Sequence, residues 1–334
     1  MQNPTTKSEL QLSVLDLVMV NTNGSPAQSM RNSLDLAQHV EKWGYGRYWL
    51  AEHHNIMSVA STATSILIGF IAGGTTKIRV GSGGIMLPNH SPLIIAEQFG
   101  TLESLYPGRI DLGLGRAPGT DRSTALALRR GKLEETEDDF PNSVKELIRY
   151  FGSEEVNKTV RANPGEGLDI PIWLLGSSMF SAQLAGDWGL PFAFASHFAP
   201  AYLESAVNIY RERFQPSANL KQPYVMAAVN VCAAYTDKEA NRLFTSLQQM
   251  ALGMIRRNHS LLQPPVDDMD KIWNPLEKYT VNERLKYSFV GEPNTLKRGL
   301  VSFLNGIHVN ELMVVSHIYE HEARLCSFEI LSTL

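Results

Sequence analysis

The sequence predicts an α/β chain folded as a (β/α)8 TIM barrel with insertion loops, a single domain over residues 1–334. Three observations predict it. Short apolar runs alternate with amphipathic stretches eight times, the count of such a barrel. The apolar runs lack a clean two-residue alternation, as expected of parallel strands buried on both faces. No G-x-G-x-x-G follows the first run, which weakens the competing reading of an open doubly wound sheet. A chain of 334 residues also suits a barrel of roughly 250 residues plus insertions.

The elements follow in order. Leu12 to Val20 is the first strand, and Ser25-Pro26 then supplies a cap and a first-turn proline. Met30, Leu34, Ala37, Val40 and Trp43 recur at helical spacing, and Gly44 stands where a left-handed stop is expected. Tyr48 to Ala51 is the second strand. Thr62 to Ala72 is a helix apolar nearly all round, which predicts burial in the domain or at a subunit interface. Ile78 to Leu87 is the third strand, Ser91-Pro92 opens a helix to about Leu105, and Arg109 to Gly115 is the fourth strand. Asp121 to Gly152 reads as helical, and Asn157 to Asp169 as a loop or hairpin insertion. Strands five and six are Ile172 to Leu175 and Pro191 to Ser196, with helices at Ser178 to Trp188 and Pro200 to Phe214. Tyr224 to Tyr235 is the seventh strand, followed by a helix over Asp237 to His259 and a proline-rich loop over Gln263 to Pro275. A helix from Pro293 to Gly306, a strand at Glu311 to Ser316 and a helix from Glu320 close the chain.

Composition narrows the function classes. Hydrophobic residues make up 43%, enough for a sizeable core. Lys and Arg number 30 against 34 Asp and Glu, a net charge of −4, which argues against a broad nucleic-acid-binding surface while leaving room for one local phosphate site. Cys232 and Cys326 form no CxxC or metal-like pair and suggest reduced thiols in a reducing cytosol. The opening MQNPTTKSEL lacks an apolar signal region. The longest apolar runs fall short of the roughly 20 residues of a membrane span. The expectation is a cytoplasmic protein with no membrane partner.

In a (β/α)8 barrel the chemistry projects from the C-terminal ends of the strands. Strand two ends in Glu52-His53-His54-Asn55, strand three carries Gly83-Gly84 and runs to His90, and strand four ends in Arg116 to Asp121. Strand five ends in Gly176-Ser177-Ser178 to Ser181, strand six in His197-Phe198, and strand eight in Ser316-His317. Glu52 and His53 read equally as a functional pair or as a buried hydrogen-bonded one. Adjacent strand residues face opposite ways, so only one of His53 and His54 readily faces the mouth, against a metal pair. Gly176-Ser177-Ser178 leads straight into a helix, where free amides and hydroxyls suit an anion; a simple serine cap reads the same residues equally well. Arg116, at the neighbouring strand end, would supply the countercharge. His197 and His317 carry a structural and a functional reading in equal weight.

Together, Arg47 to His54, Ile78 to Pro92, Ala96 to Asp121 and Pro171 to His197 resemble the bacterial luciferase-like flavin monooxygenases, in particular the branch called luciferase-family oxidoreductase group 1. The resemblance runs from about Leu12 to Leu331. It implies a luciferase-like barrel that takes reduced FMN as co-substrate in its mouth and uses O2 to oxygenate a small organic molecule. It also implies a separate NAD(P)H:flavin reductase that supplies the reduced flavin. His53 matches the family histidine that serves as a general base or stabilises the oxygenated flavin, and Glu52 its acidic neighbour. Gly83 and Gly84 match a non-prolyl cis peptide beneath the flavin ring. Arg116 matches an arginine near the flavin phosphate, and Ser177, Ser178 and Ser181 the phosphate-binding run, although luciferase has an acidic residue where Ser177 stands. The reactive cysteine of luciferase has no local counterpart, so light production is not implied. Residues Gln263 to Pro275 match nothing assignable and are expected to form a lid that sets the substrate.

Two other readings share the fold: a deazaflavin F420-dependent dehydrogenase and a non-catalytic flavin-binding protein. A barrel hydrolase needs facing carboxylates, and Glu52 and Asp121 stand two strands apart. The Thr62–Ala72 helix is the candidate interface of a homodimer.

Overall fold

The structure is a computed structural model describing residues 10–129, 139–153 and 159–334. The N-terminal segment 1–9 and parts of the expected Asp121–Gly152 helix and Asn157–Asp169 insertion lie outside the described residues. The strands are β1 (Gln11–Asp16), β2 (Arg47–Leu50), β3 (Arg79–Met86), β4 (Ile110–Gly115), β5 (Ile172–Gly176), β6 (Phe192–Phe194), β7 (Val225–Ala233), β8 (Ser288–Gly291) and β9 (Glu311–Val315). The helices are α1 (Pro26–Lys42), α2 (Thr64–Gly73), α3 (Pro92–Leu105), α4 (Arg122–Leu128), α5 (Phe140–Phe151), α6 (Met179–Trp188), α7 (Leu203–Arg213), α8 (Asp237–Ile255), α9 (Pro275–Arg284), α10 (Pro293–Gly306) and α11 (His321–Ser332).

Every strand pairing is parallel. The β6–β7 and β1–β9 pairings close a ring of eight, β1-β2-β3-β4-β5-β6-β7-β9, with helices between successive strands. This is the expected (β/α)8 barrel. The ninth strand, β8, adds to the C-terminal half of β7, where Ser288 to Gly291 lie against Asn230 to Ala233. Strand β8 (SFVG) has two apolar residues and a mostly half-buried pattern, so it makes no apolar run in sequence. Helix α9 was also unexpected. Its cap signal is legible, since Asn274 and Glu277 form a reciprocal capping box before Pro275. Its interior gives no apolar stripe, because Val281 is its one buried residue.

The barrel interior is filled from below. At the N-terminal ends of the strands Arg47 donates to Asp111 (2.7 Å) and to Glu311 (3.1 Å), and Arg79 donates to Asp111 (2.7 Å). Ser13 and Tyr224 donate to Glu311, and Trp49 Nε1 to Asp111. Above this lies an apolar layer in which Trp49 and Trp173 meet edge to face, 5.1 Å between centroids, beside Leu15, Met226 and Met313. The larger core lies outside the barrel wall, between strands and helices.

Strand β1 ends four residues earlier than its apolar run, because Asp16 turns the chain. Its Oδ1 accepts from Val18 N–H (2.9 Å), and Val18 takes φ +54°, rare for a β-branched residue. Asp16 is fully buried and also accepts from Ser33, Tyr48 and Arg324. Burial raises its pKa, but Arg324 and the hydroxyl donors outweigh this and hold it near 2. It is a carboxylate at a strand end that the sequence reading passed over. Helix α2 divides the two readings of its apolar character: Leu67, Ile68 and Ile71 are buried in the chain, whereas Ile66 is 72% and Phe70 42% exposed.

Asp16→Asn keeps the shape and leaves Arg324 without its counter-ion, so urea unfolding at neutral pH should show a loss of about 3–5 kcal/mol. The folded carboxyl titrates near 2 against an ordinary 3.8. Its contribution is therefore complete above about 4 and lost as pH falls toward 2; the variant should show a shallower decline of stability across that window.

Candidate active site

Glu52 organises the C-terminal end of β2. Its carboxylate is buried, 1% exposed, and accepts from His54 Nε2 (2.7 Å), His90 Nε2 (2.8 Å) and Met86 N–H (2.9 Å). Burial would raise its pKa; the imidazole and amide donors outweigh burial and hold it near 2. Glu52 is thus an anchored anion that joins the ends of β2 and β3. His54 is drawn to it, and His90, which the sequence reading had given no role, is the second clamp.

His53 points elsewhere. Its Nδ1 lies 3.3 Å from the Gly119 carbonyl, in the loop after β4. A carbonyl only accepts, so this contact places the proton on Nδ1 and leaves Nε2 with a free lone pair. Burial lowers the His53 pKa, opposed by the Gly119 contact and by Glu52. The imidazole is therefore uncharged at neutral pH. The Gly119 loop is held over β2 by Thr120 Oγ1 donating to His54 O (3.0 Å) and Asn89 donating to Pro118 O (2.8 Å). Gly119 has φ +64°, and a Cβ there would stand 2.9 Å from Met86 and 3.1 Å from the Glu52 carbonyl.

The Gly83–Gly84 peptide is cis. A Cβ on Gly83 would meet Leu15 at 2.6 Å, and one on Gly84 the Gly113 carbonyl at 2.7 Å. This stretch of β3 is bare backbone because no side chain fits.

Helix α6 begins at Ser178 with extended backbone and no side-chain cap. Its first-turn amides therefore have no hydroxyl from the cap residue, unlike those of α1, where Ser25 accepts from Gln28. Arg116 reaches this point from β4, its guanidinium 4.3 Å from the Phe180 ring centroid. Ser181 is buried, and Gly176 leaves room for it: an added Cβ would stand 2.9 Å from Ser181 Cβ. The fold thus brings Arg116, Ser177, Ser178 and Ser181 to one helix start. Asp121 stands apart and caps α4, accepting from Thr124 N–H (3.0 Å) and Asn55 (2.9 Å).

On the opposite side of the mouth His197 and His317 are more telling than their sequence context. Burial pushes His197 down to about 3, helped by His317, His53 and Arg284 nearby. Burial pushes His317 to about 4. Both have a buried Nδ1 with no partner among the described residues. The segment after α8 crosses above: Leu262 N–H donates to Val20 O (2.9 Å), and Thr22 N–H to Leu262 O (3.0 Å). Met269, Trp273, Val281 and Leu285 pack on Leu247, Ala251 and Leu252 of α8 as a separate small core. The segment expected to form a lid is thus folded onto α8 by its own apolar anchor.

Residues 10–287 match the sequence model of luciferase-like monooxygenases. A luciferase-like monooxygenase of Escherichia coli K12 is 51% identical over 325 residues, covering 97% of each chain. The solved structure of apo-MsnO8 is 34% identical, with a TM-score of 0.87 over 97% of this chain and 98% of that one. The oxygenating constituent of 3,6-diketocamphane monooxygenase from Pseudomonas putida, solved with FMN, shares the fold at 17% identity, with a TM-score of 0.73 over 97% of each chain.

Glu52→Gln should cost about 1–3 kcal/mol at neutral pH by urea unfolding, because one imidazole donor or the Met86 amide loses its acceptor. The wild-type carboxyl moves from 4.5 to about 2 on folding. Its stabilisation is therefore present above 4.5 and fades as pH falls toward 2; the acid limb should be flatter in the variant.

Proposed function

Since the chain belongs to the luciferase-like monooxygenase family, we propose that it is an FMN-dependent monooxygenase acting on a small organic substrate. The start of α6 carries this reading. An uncapped helix N-terminus with three serines and a guanidinium alongside suits a dianionic phosphate better than a neutral group. The Gly83–Gly84 backbone puts no side chain of its own between β3 and a flat ring.

In this reading Ser177, Ser178, Ser181 and Arg116 would hold the phosphate, and Gly83 and Gly84 the ring. Bound reduced FMN supplies the two electrons that let O2 place one oxygen atom on the substrate and the other in water. His53 offers its Nε2 lone pair as the proton acceptor, since Nδ1 is committed to Gly119 and burial keeps the ring neutral. Glu52 stays ionised and fixes the end of β2 without exchanging protons near neutral pH. The segment after α8, tied to Val20 and Thr22 through Leu262, would shield this side of the mouth from bulk water. Reduced FMN would come from a separate NAD(P)H:flavin reductase, since no dinucleotide fingerprint follows β1.

Two titrations test the cofactor. FMN should bind more tightly than riboflavin, and Arg116→Met should weaken FMN by about 10–100-fold while leaving riboflavin nearly unchanged. Equal binding of the two flavins, or tighter binding of F420 than of FMN, would overturn the assignment. For His53, stopped-flow oxidation of protein-bound reduced FMN by O2 should be slower than that of free reduced FMN, and faster in His53→Ala. Oxidation at the free-flavin rate in the wild type would favour a non-catalytic flavin-binding role.

The protein is further proposed to form a homodimer through α2, whose Ile66 and Phe70 face outward. Light scattering should give twice the 37.1 kDa chain mass, and Ile66→Glu with Phe70→Glu should return a monomer.

A further inference from the structure

Arg284, the last residue of α9, is a half-buried cation in an unusual position. Among the described residues no carboxylate lies within ion-pair distance of it. Its hydrogen-bonding contact is the Met254 sulfur, 3.6 Å from Nη2, and its aromatic neighbour is Phe198, 6.0 Å from Cζ to the ring centroid. A thioether is a weak acceptor, and 6.0 Å is the outer edge of a cation–π contact. Burial lowers the Arg284 pKa, and no acidic group pulls it back. Other partly buried arginines find oxygen acceptors: Arg47 and Arg79 bind Asp111, Arg324 binds Asp16, Arg109 donates to the carbonyls of Ile78, Ala72 and Thr75, and Arg211 to that of His308, whereas Arg116 shares with Arg284 an aromatic contact and no oxygen acceptor among the described residues. A guanidinium partly withdrawn from water gains from an anionic partner.

Arg284 comes from the segment after α8 and reaches the residues that follow β6. Phe198 packs edge to face on His197, 4.8 Å between centroids, and His197 lies within electrostatic reach of Arg284, His53 and His317. The backbone at His197 is fixed by Asn230, which donates to its carbonyl (2.8 Å). The His197 ring is uncharged at neutral pH and has a buried nitrogen without a partner. It can share a hydrogen bond without bringing a second positive charge. Phe198 and Met254 supply apolar surface beside the cation. This cation is separate from Arg116, which serves the start of α6.

We propose that Arg284, with His197 and Phe198, forms a carboxylate-binding subsite between that segment and the barrel mouth, so that the substrate is an organic acid with an apolar body. The carboxylate takes the forked N–H donors of Arg284, and the apolar body lies against Phe198 and Met254, toward His53. The proposal rests on the flavin-enzyme reading for its consequence, but the subsite itself is tested without turnover.

The test is isothermal titration with sodium hexanoate and, as the uncharged match, hexan-1-ol, run on the protein with and without oxidised FMN. Hexanoate should bind the wild type more tightly than hexanol. Arg284→Gln should weaken hexanoate by about tenfold or more and leave hexanol and FMN unchanged. Arg284→Lys should fall between, because a point charge replaces a planar fork. Unchanged circular dichroism and melting temperature check that each variant is folded. Hexanol binding as well as hexanoate, no hexanoate binding in the wild type, or loss of FMN affinity in place of hexanoate affinity in Arg284→Gln would each overturn the proposal. Failure of FMN to bind the wild type would instead count against the flavin reading, since the hexanoate comparison is read in the FMN-free protein as well.

Discussion

Arg47 sits at the narrow end of the barrel and binds Asp111 and Glu311 at once. These residues come from β2, β4 and β9, so one guanidinium spans the seam where the sheet closes on itself. Both carboxylates have no exposed surface, and removing any partner would strand a charge in a dry interior. This ionic plug, with the Trp49–Trp173 layer above it, fills the lower barrel with side chains. Every feature assigned to function stands on the upper rim because the lower end is filled.

The rim is stiffened by a second anion. Glu52 collects two imidazoles and a backbone amide, and so fixes where β2 stops relative to β3. This has a consequence for the adjacent residue. With His54 tied to Glu52, His53 is directed to the Gly119 carbonyl, which sets which ring nitrogen carries its proton. The buried Glu52 carboxylate also raises the His53 pKa, against the larger lowering effect of burial. Gly119 needs its positive φ for the loop to come this close.

The mouth has two sides with different chemistry. Around β3 to β5 it offers bare backbone, an uncapped helix start and Arg116, which suit an anionic, planar cofactor. Around β6, β9 and the segment after α8 it offers neutral imidazoles, Phe198 and Arg284. That segment is anchored by its own apolar cluster on α8 and tied to Val20 and Thr22 through Leu262. Under the proposed function, residues 258–284 would set what can sit over the cofactor side.

The sequence by itself determined the repeating architecture. Eight apolar runs, helix-starting Ser-Pro pairs and parallel-strand composition are local signals, and all eight ring strands stand where those signals lie. The linear motif around Arg116, Gly83-Gly84 and Ser177-Ser178 was also legible, because each piece is contiguous. Strand β8 and the polar helix α9 escaped, since two half-buried apolar residues make no run and one buried valine makes no stripe. What only the tertiary structure decided is which charges meet. Asp16 with Arg324 is separated by 308 residues, Arg47 with Glu311 by 264, and His90 with Glu52 by 38. The approach of Arg284 to His197 is of the same kind. No local pattern encodes such pairings, because the barrel brings strand ends together by closure and not by sequence proximity. Burial then sets the protonation of each group according to the partner it finds there.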